Sequence, residues 1–109
     1  MNVRLYLWQR GSAAVLVPLL LIHLAVIFYA TREGLAAADI LARTRGSVAW
    51  GVYYAVFVAA ITIHASIGLR NILVEWAGLR HRGAMIASGL FGLLLTGLGL
   101  RAVAAVVLP

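Results

Sequence analysis

The residues with the clearest chemistry lie in one short stretch. His64 sits near the end of a long apolar run, and Gly68, Asn71 and Glu75 follow it at offsets of 4, 7 and 11 residues. At about 100° per helical residue these four positions share one narrow stripe of a helix. An imidazole inside a membrane helix is costly without a partner, so it marks a functional site or a packed, hydrogen-bonded side chain. Glycine one turn on leaves room for something flat against the backbone. Neutral imidazole is a good iron ligand, and a haem is flat and apolar with charged propionates at one edge. Arg70 lies about 9 Å beyond His64 along the axis, at the expected water interface, where a guanidinium could meet a propionate.

These residues must be carried by membrane-spanning helices. The chain has 109 residues, 64% of them hydrophobic, which is not the composition of a soluble globular domain. At roughly 20 apolar residues per crossing it holds three spans and no soluble catalytic domain. There is no cysteine, which excludes disulfides, thiolate metal sites, iron–sulfur ligation and c-type haem attachment by this chain. The net charge of +6 comes from nine Arg and no Lys, against Glu33, Asp39 and Glu75. The arginines cluster at the ends of apolar runs, as the positive-inside rule describes, and leave no basic surface for nucleic acid.

Read in order, the chain is a single membrane-anchor domain over 1–109 with spans at about 12–30, 47–73 and 84–108. The fold class is all-α: a three-span transmembrane helix bundle, up-down-up. Residues 1–10 form a short amphipathic arm, in which Arg4 and Arg10 flank Tyr6 and Trp8. The apolar run from Gly11 to Thr31 is too long for a signal-peptide core and is read as a retained helix. Pro18 removes one backbone donor from it and is expected to kink it. His23 lies deep in this span, where ligand and packing readings both stand. The connection from Thr31 to Gly46 admits a short interfacial helix over its Ala- and Leu-rich middle, but a plain solvated loop is the expectation. Trp50, Tyr53 and Tyr54 form an interface belt at the start of the second span. His81, between Arg80 and Arg82, is expected to be a solvated loop residue. Ser88, Gly92, Thr96 and Gly99 form a small-residue face on the third span suited to close helix packing. Arginine counts favour an N-terminus inside and a C-terminus outside.

The pattern His64-x-x-x-Gly68-Leu69-Arg70-x-x-x-x-Glu75 resembles the second transmembrane helix of the cytochrome b membrane-anchor subunits of succinate dehydrogenase and fumarate reductase. The order of parts is also similar: a Trp/Gln-Arg-containing start, three apolar spans, and the His late in the second. The resemblance implies a hydrophobic anchor of a succinate:quinone or quinol:fumarate oxidoreductase, a non-flavin subunit not catalytic alone. It implies haem b held by His64 as axial metal ligand, with Gly68 and Arg70 beside it and Arg70 meeting a propionate. His23 is a second candidate metal ligand, because a Leu-rich run ending in His-Leu also occurs in anchors that hold two haems. The quinone pocket implied at the inner face takes Arg10, Ser12, Glu75 and Trp76. Several relatives carry Asp-Tyr where this chain has Glu75-Trp76, and an indole has no phenol to offer a quinone carbonyl. The Arg10-Gly11-Ser12 spacing also differs from the family's. The implied partners are a flavoprotein, an iron–sulfur protein, a second anchor subunit or second copy, and membrane lipid. The implied location is a bacterial inner membrane with the N-terminus cytoplasmic.

Two rival functions are compatible with the residues. One is a haem-free structural anchor. The other is a small proton-coupled transporter subunit using His23 and His64 as a relay, although no intramembrane carboxylate or interrupted helix supports it. Depth separates the two histidines. If Arg10 and Arg70 share the inner headgroup level, His23 is roughly 20 Å deep and His64 roughly 9 Å. Imidazoles on one iron need nitrogens about 4 Å apart, so the pair is not expected to share a metal.

Overall fold

The computed structural model describes residues 3–109. The described residues form four helices: α1 (Val3–Arg32), α2 (Ala37–Thr44), α3 (Val48–Glu75) and α4 (His81–Val107). Helices α1, α3 and α4 are each long and apolar enough to cross a membrane. At 30, 28 and 27 residues they exceed the roughly 20 that a bilayer core requires. Large apolar side chains such as Leu21, Phe28, Leu90 and Leu93 stand exposed along their outer faces. That arrangement suits lipid, which solvates such groups as well as a protein core does.

The helices run past the apolar spans at several ends. Residues 3–10, read from sequence as a separate arm, are the first turns of α1, and α4 begins at His81. Hydropathy marks where lipid ends, whereas a helix continues for as long as its backbone bonds close on themselves. Helix α1 is assigned unbroken through Pro18. It ends in a Schellman turn: Gly34 takes a φ of +65°, Leu35 N–H donates to Ala30 O and Gly34 N–H to Thr31 O.

The solvated loop expected between the first two spans is instead largely helical. Helix α2 is two turns long, and the Asp39 carboxylate accepts the Ala36 N–H at 2.9 Å, one half of a capping box. Its far end is tied to the end of α4, where Thr44 Oγ1 donates to Val106 O at 2.6 Å and Gly46 N–H to Val107 O at 2.7 Å. Good helix formers, a cap and a tertiary anchor together order a segment too short to be stable alone. Ser47 then caps α3, its hydroxyl accepting the Trp50 N–H.

Helix α3 is central, with α1 packed on one flank and α4 on the other. The small-residue face expected on the third span makes the α3–α4 contact, with Ala84, Ser88 and Gly92 buried. A Cβ on Gly92 would lie 2.7 Å from Ser66 Oγ, and one on Gly99 would lie 2.5 Å from a Val58 methyl. Both distances are too short for any side chain, so only glycine permits this approach. In lipid, where helices gain nothing from burying apolar surface, such close packing is a main source of association. On the other flank the Tyr53 hydroxyl donates to Leu19 O, one residue past Pro18.

Candidate functional site

His64 faces α1. Its Nδ1 lies 3.5 Å from Ser12 Oγ, and the Ser12 hydroxyl donates to Gln9 O at 3.0 Å. Ser12 is buried and His64 half-buried. One turn along α3, Gly68 faces the Gln9 side chain, whose Nε2 would be 3.6 Å from a Cβ placed there. The flat space expected over Gly68 is therefore lined by an amide of α1. The Gln9 Oε1 is buried with no partner. Beside this seam a groove of about 810 Å³ opens between α1 and α3, lined by Arg4, Trp8, Ser12, Val15, Ala60 and Ile63 among others.

Arg70 is turned toward α4. It is six residues from His64, a rotation of about 240°, which takes it off the His64 stripe. Only 7% of it is exposed. Its Nη1 donates to Asn71 Oδ1 at 2.9 Å and its Nη2 to His81 Nδ1 at 2.9 Å, while Nε is buried without a partner. His81 is exposed, as expected, but it is the first residue of α4 and not a loop residue. One of its ring nitrogens is held by a buried guanidinium, because the short turn after α3 brings the first residue of α4 over it. A guanidinium can only donate, so His81 accepts at Nδ1 and carries its proton at Nε2.

The four quinone-pocket candidates are spread along the axis. Contacts of Ser12 with His64 and of Gln9 with Gly68 fix the antiparallel register, which sets Arg10 level with about Ser66 or Ile67. Glu75 and Trp76 lie roughly 13 Å further out. Arg10 and Glu75 are exposed, and Trp76 is 85% exposed at the end of α3. Ser12 and His64 are brought together, whereas Glu75 and Trp76 form a separate group at the helix end.

His23 lies in the other half of the molecule. Its ring meets Tyr54 and Phe57 edge-on, with centroids 5.9 and 5.3 Å away, and its Nδ1 is buried with no partner. It borders a cavity of about 430 Å³ shared with Tyr54, Phe57, Gly99 and Val103. From Tyr54, level with His23, to His64 is ten residues of α3, about 15 Å. The separation is larger than the roughly 11 Å expected from the arginine levels. No cluster of three or more metal-binding side chains occurs among the described residues.

Three of these contacts were not anticipated: Ser12 with His64, Gln9 with Gly68, and Arg70 with His81. The last had a signal, since the helical offset already puts Arg70 about 120° around the helix from His64. The first two depend on the register between helices, which no single helix encodes.

These features define a multi-pass membrane subunit whose polar side chains are concentrated at helix seams. The chain belongs to the succinate dehydrogenase/fumarate reductase transmembrane subunit family, whose model matches residues 2–100. It is accordingly a transmembrane anchor subunit that associates with the other subunits of such a complex. No match was found among curated proteins or among solved structures.

Proposed function

We propose that this anchor holds haem b through His64 and helps to form the quinone site of a succinate:quinone or quinol:fumarate oxidoreductase. The observation that carries the reading is His64 itself: a half-buried imidazole within a membrane helix, at the α1–α3 seam beside an apolar groove, in a chain of this family. When bound, haem b supplies a one-electron relay between iron–sulfur donor and quinone. The residues present fit it. His64 offers one nitrogen as ligand, whereas Arg70, buried toward α4 and bound to Asn71 and His81, would have to turn out of the α3–α4 seam to meet a propionate. His23, with a buried orphan nitrogen at a cavity in the other half, fits a second haem. The 15 Å between the two requires a different second ligand for each, contributed by another chain. Arg10, Glu75 and Trp76 serve the quinone, Glu75 by exchanging a proton at the helix end and Trp76 as apolar wall.

In this reading a flavoprotein and an iron–sulfur protein dock on the side carrying the N-terminus of α1 and the α3–α4 turn. That side faces the cytoplasm of a bacterium, and a second anchor chain or second copy completes the haem pocket. The haem-free anchor and the transporter are the alternatives. The transporter has the weaker support, since α1, α3 and α4 are unbroken helices. The deciding experiment is the visible spectrum of the purified complex. A Soret band and a reduced α-band that diminish in His64→Ala, with the three spans still inserted, are expected. A full, unshifted low-spin spectrum in His64→Ala would remove His64 as ligand, and the absence of any haem band would leave the plain anchor.

A further inference from the structure

A histidine binds iron through a nitrogen that carries no proton, so something must decide which of its two nitrogens is protonated. Among the described residues, the polar side-chain atom within hydrogen-bonding range of His64 is Ser12 Oγ, 3.5 Å from Nδ1. That hydroxyl has one proton and two lone pairs. Its proton is committed to Gln9 O at 3.0 Å, one turn back on its own helix. Toward His64 the oxygen is therefore an acceptor, and the partner it accepts is an Nδ1–H. The opposite arrangement, with Ser12 donating to a bare Nδ1, would give up the Gln9 bond and place the ring proton on Nε2. At 6% exposure Ser12 has little access to water that could replace either bond.

We infer that Ser12 is a positioning residue for the haem ligand: through the relay His64 Nδ1–H to Ser12 Oγ–H to Gln9 O it holds His64 in the tautomer whose Nε2 lone pair is free for iron. This rests on the haem reading of His64 and gives Ser12 a different task from the quinone contact its position suggested. A hydroxyl whose proton is already bound has none to offer a quinone carbonyl. The 3.5 Å separation is at the long end of hydrogen bonding. Charge drawn onto the ring by a metal makes Nδ1–H a stronger donor, which is how outer partners of metal-bound histidines fix the ring and raise its basicity.

The test has two arms. In the first, the full chain with ¹⁵N-labelled histidine is reconstituted in detergent micelles without haem, and His64→Gln identifies the His64 signals among the three histidines. Wild type and Ser12→Thr should show a protonated Nδ1 and a bare Nε2, while Ser12→Ala and Ser12→Val shift toward the Nε2–H form. In the second, the intact complex is examined by electron paramagnetic resonance and haem retention. Ser12→Val should alter the low-spin signal and weaken haem binding by about 10- to 100-fold, with Ser12→Thr close to wild type. Thr and Val differ only in the hydroxyl, so this pair remains decisive if Ser12→Ala fails to insert. Identical tautomer populations and identical haem signals in Thr and Val variants would overturn the inference. A complex with no haem on His64 would overturn the proposed function, while the tautomer measurement would still judge Ser12.

Discussion

Arg70, the last buried residue of α3, donates a 2.9 Å hydrogen bond across the turn to His81, the first residue of α4. The bond closes the turn end of the α3–α4 pair and leaves Nε of the guanidinium without a partner.

Removing the acceptor leaves a buried charge one bond short. His81→Ala is expected to destabilise the helix pair by about 1–3 kcal/mol, measured by unfolding in mixed detergent micelles. His81→Gln, which restores an acceptor oxygen, should recover most of the loss. The same site bears on the proposed haem. Arg70→Leu is expected to lower haem occupancy or midpoint potential more than Arg80→Leu does, because a partly desolvated contact is screened less than a loop charge. Equal effects in a redox titration would deny Arg70 a specific role toward the propionate.

The two intramembrane histidines should act on separate irons. If both are ligands, His23→Leu removes one of two haem midpoints in the intact complex and His64→Ala removes the other. The 15 Å along α3 from the level of His23 to His64 is several times the spacing that two imidazoles on one iron allow. Simultaneous loss of both midpoints in His23→Leu, with the complex still assembled, would contradict this.

The closest approach of α3 and α4 gives a third expectation. Gly99→Ala introduces a methyl 2.5 Å from Val58, so the helices must separate. A cost of about 1–3 kcal/mol is expected in helix–helix association. Val58→Ala in the same chain should relieve it, giving a double-mutant coupling well outside additivity. Gly89→Ala, at a glycine with nothing within 4 Å, should be nearly neutral. Comparable losses at Gly89 and Gly99 would show that the effect is not packing.

Quinone chemistry is expected to depend on the end of α3. Glu75→Gln or Trp76→Ala should slow quinone reduction several-fold while leaving succinate oxidation with an artificial acceptor unchanged. The mutated residues are exposed at a helix terminus, so loss of the fold is not the expected cause. Unchanged quinone kinetics in both variants would move the site to another subunit.

The three crossings could be read from the chain, because each is a long apolar run bounded by arginine. So could the packing face of α4, since Ser88, Gly92, Thr96 and Gly99 repeat at helical spacing. Helix α2 was admitted but ranked below a loop, because its order depends on Thr44 reaching a carbonyl 62 residues away. The contact of His81 was missed for the same kind of reason: an exposed ring flanked by two arginines in sequence meets a third, Arg70, in space. His64 could be picked out by composition alone, as an imidazole where lipid should be. Its neighbour Ser12 could be picked out only as a candidate of another kind, since which turn of α1 lies opposite which turn of α3 is settled by packing along the whole seam.

The link between α2 and the end of α4 bears on how the chain sits in membranes of different thickness. A helix end normally has to reach the headgroups, because its last carbonyls need water. In α4 the carbonyl of Ala104 accepts Leu108 N–H, that of Val106 accepts Thr44, and that of Val107 accepts the Gly46 N–H. The terminus brings its own hydrogen-bond donors with it. Asp39, Arg43 and Arg45 stand exposed on the same corner, and such charges favour the headgroup level over the hydrocarbon. The charges hold the α2–α4 corner at the headgroups, so a change in bilayer thickness is met by tilt of the three crossings.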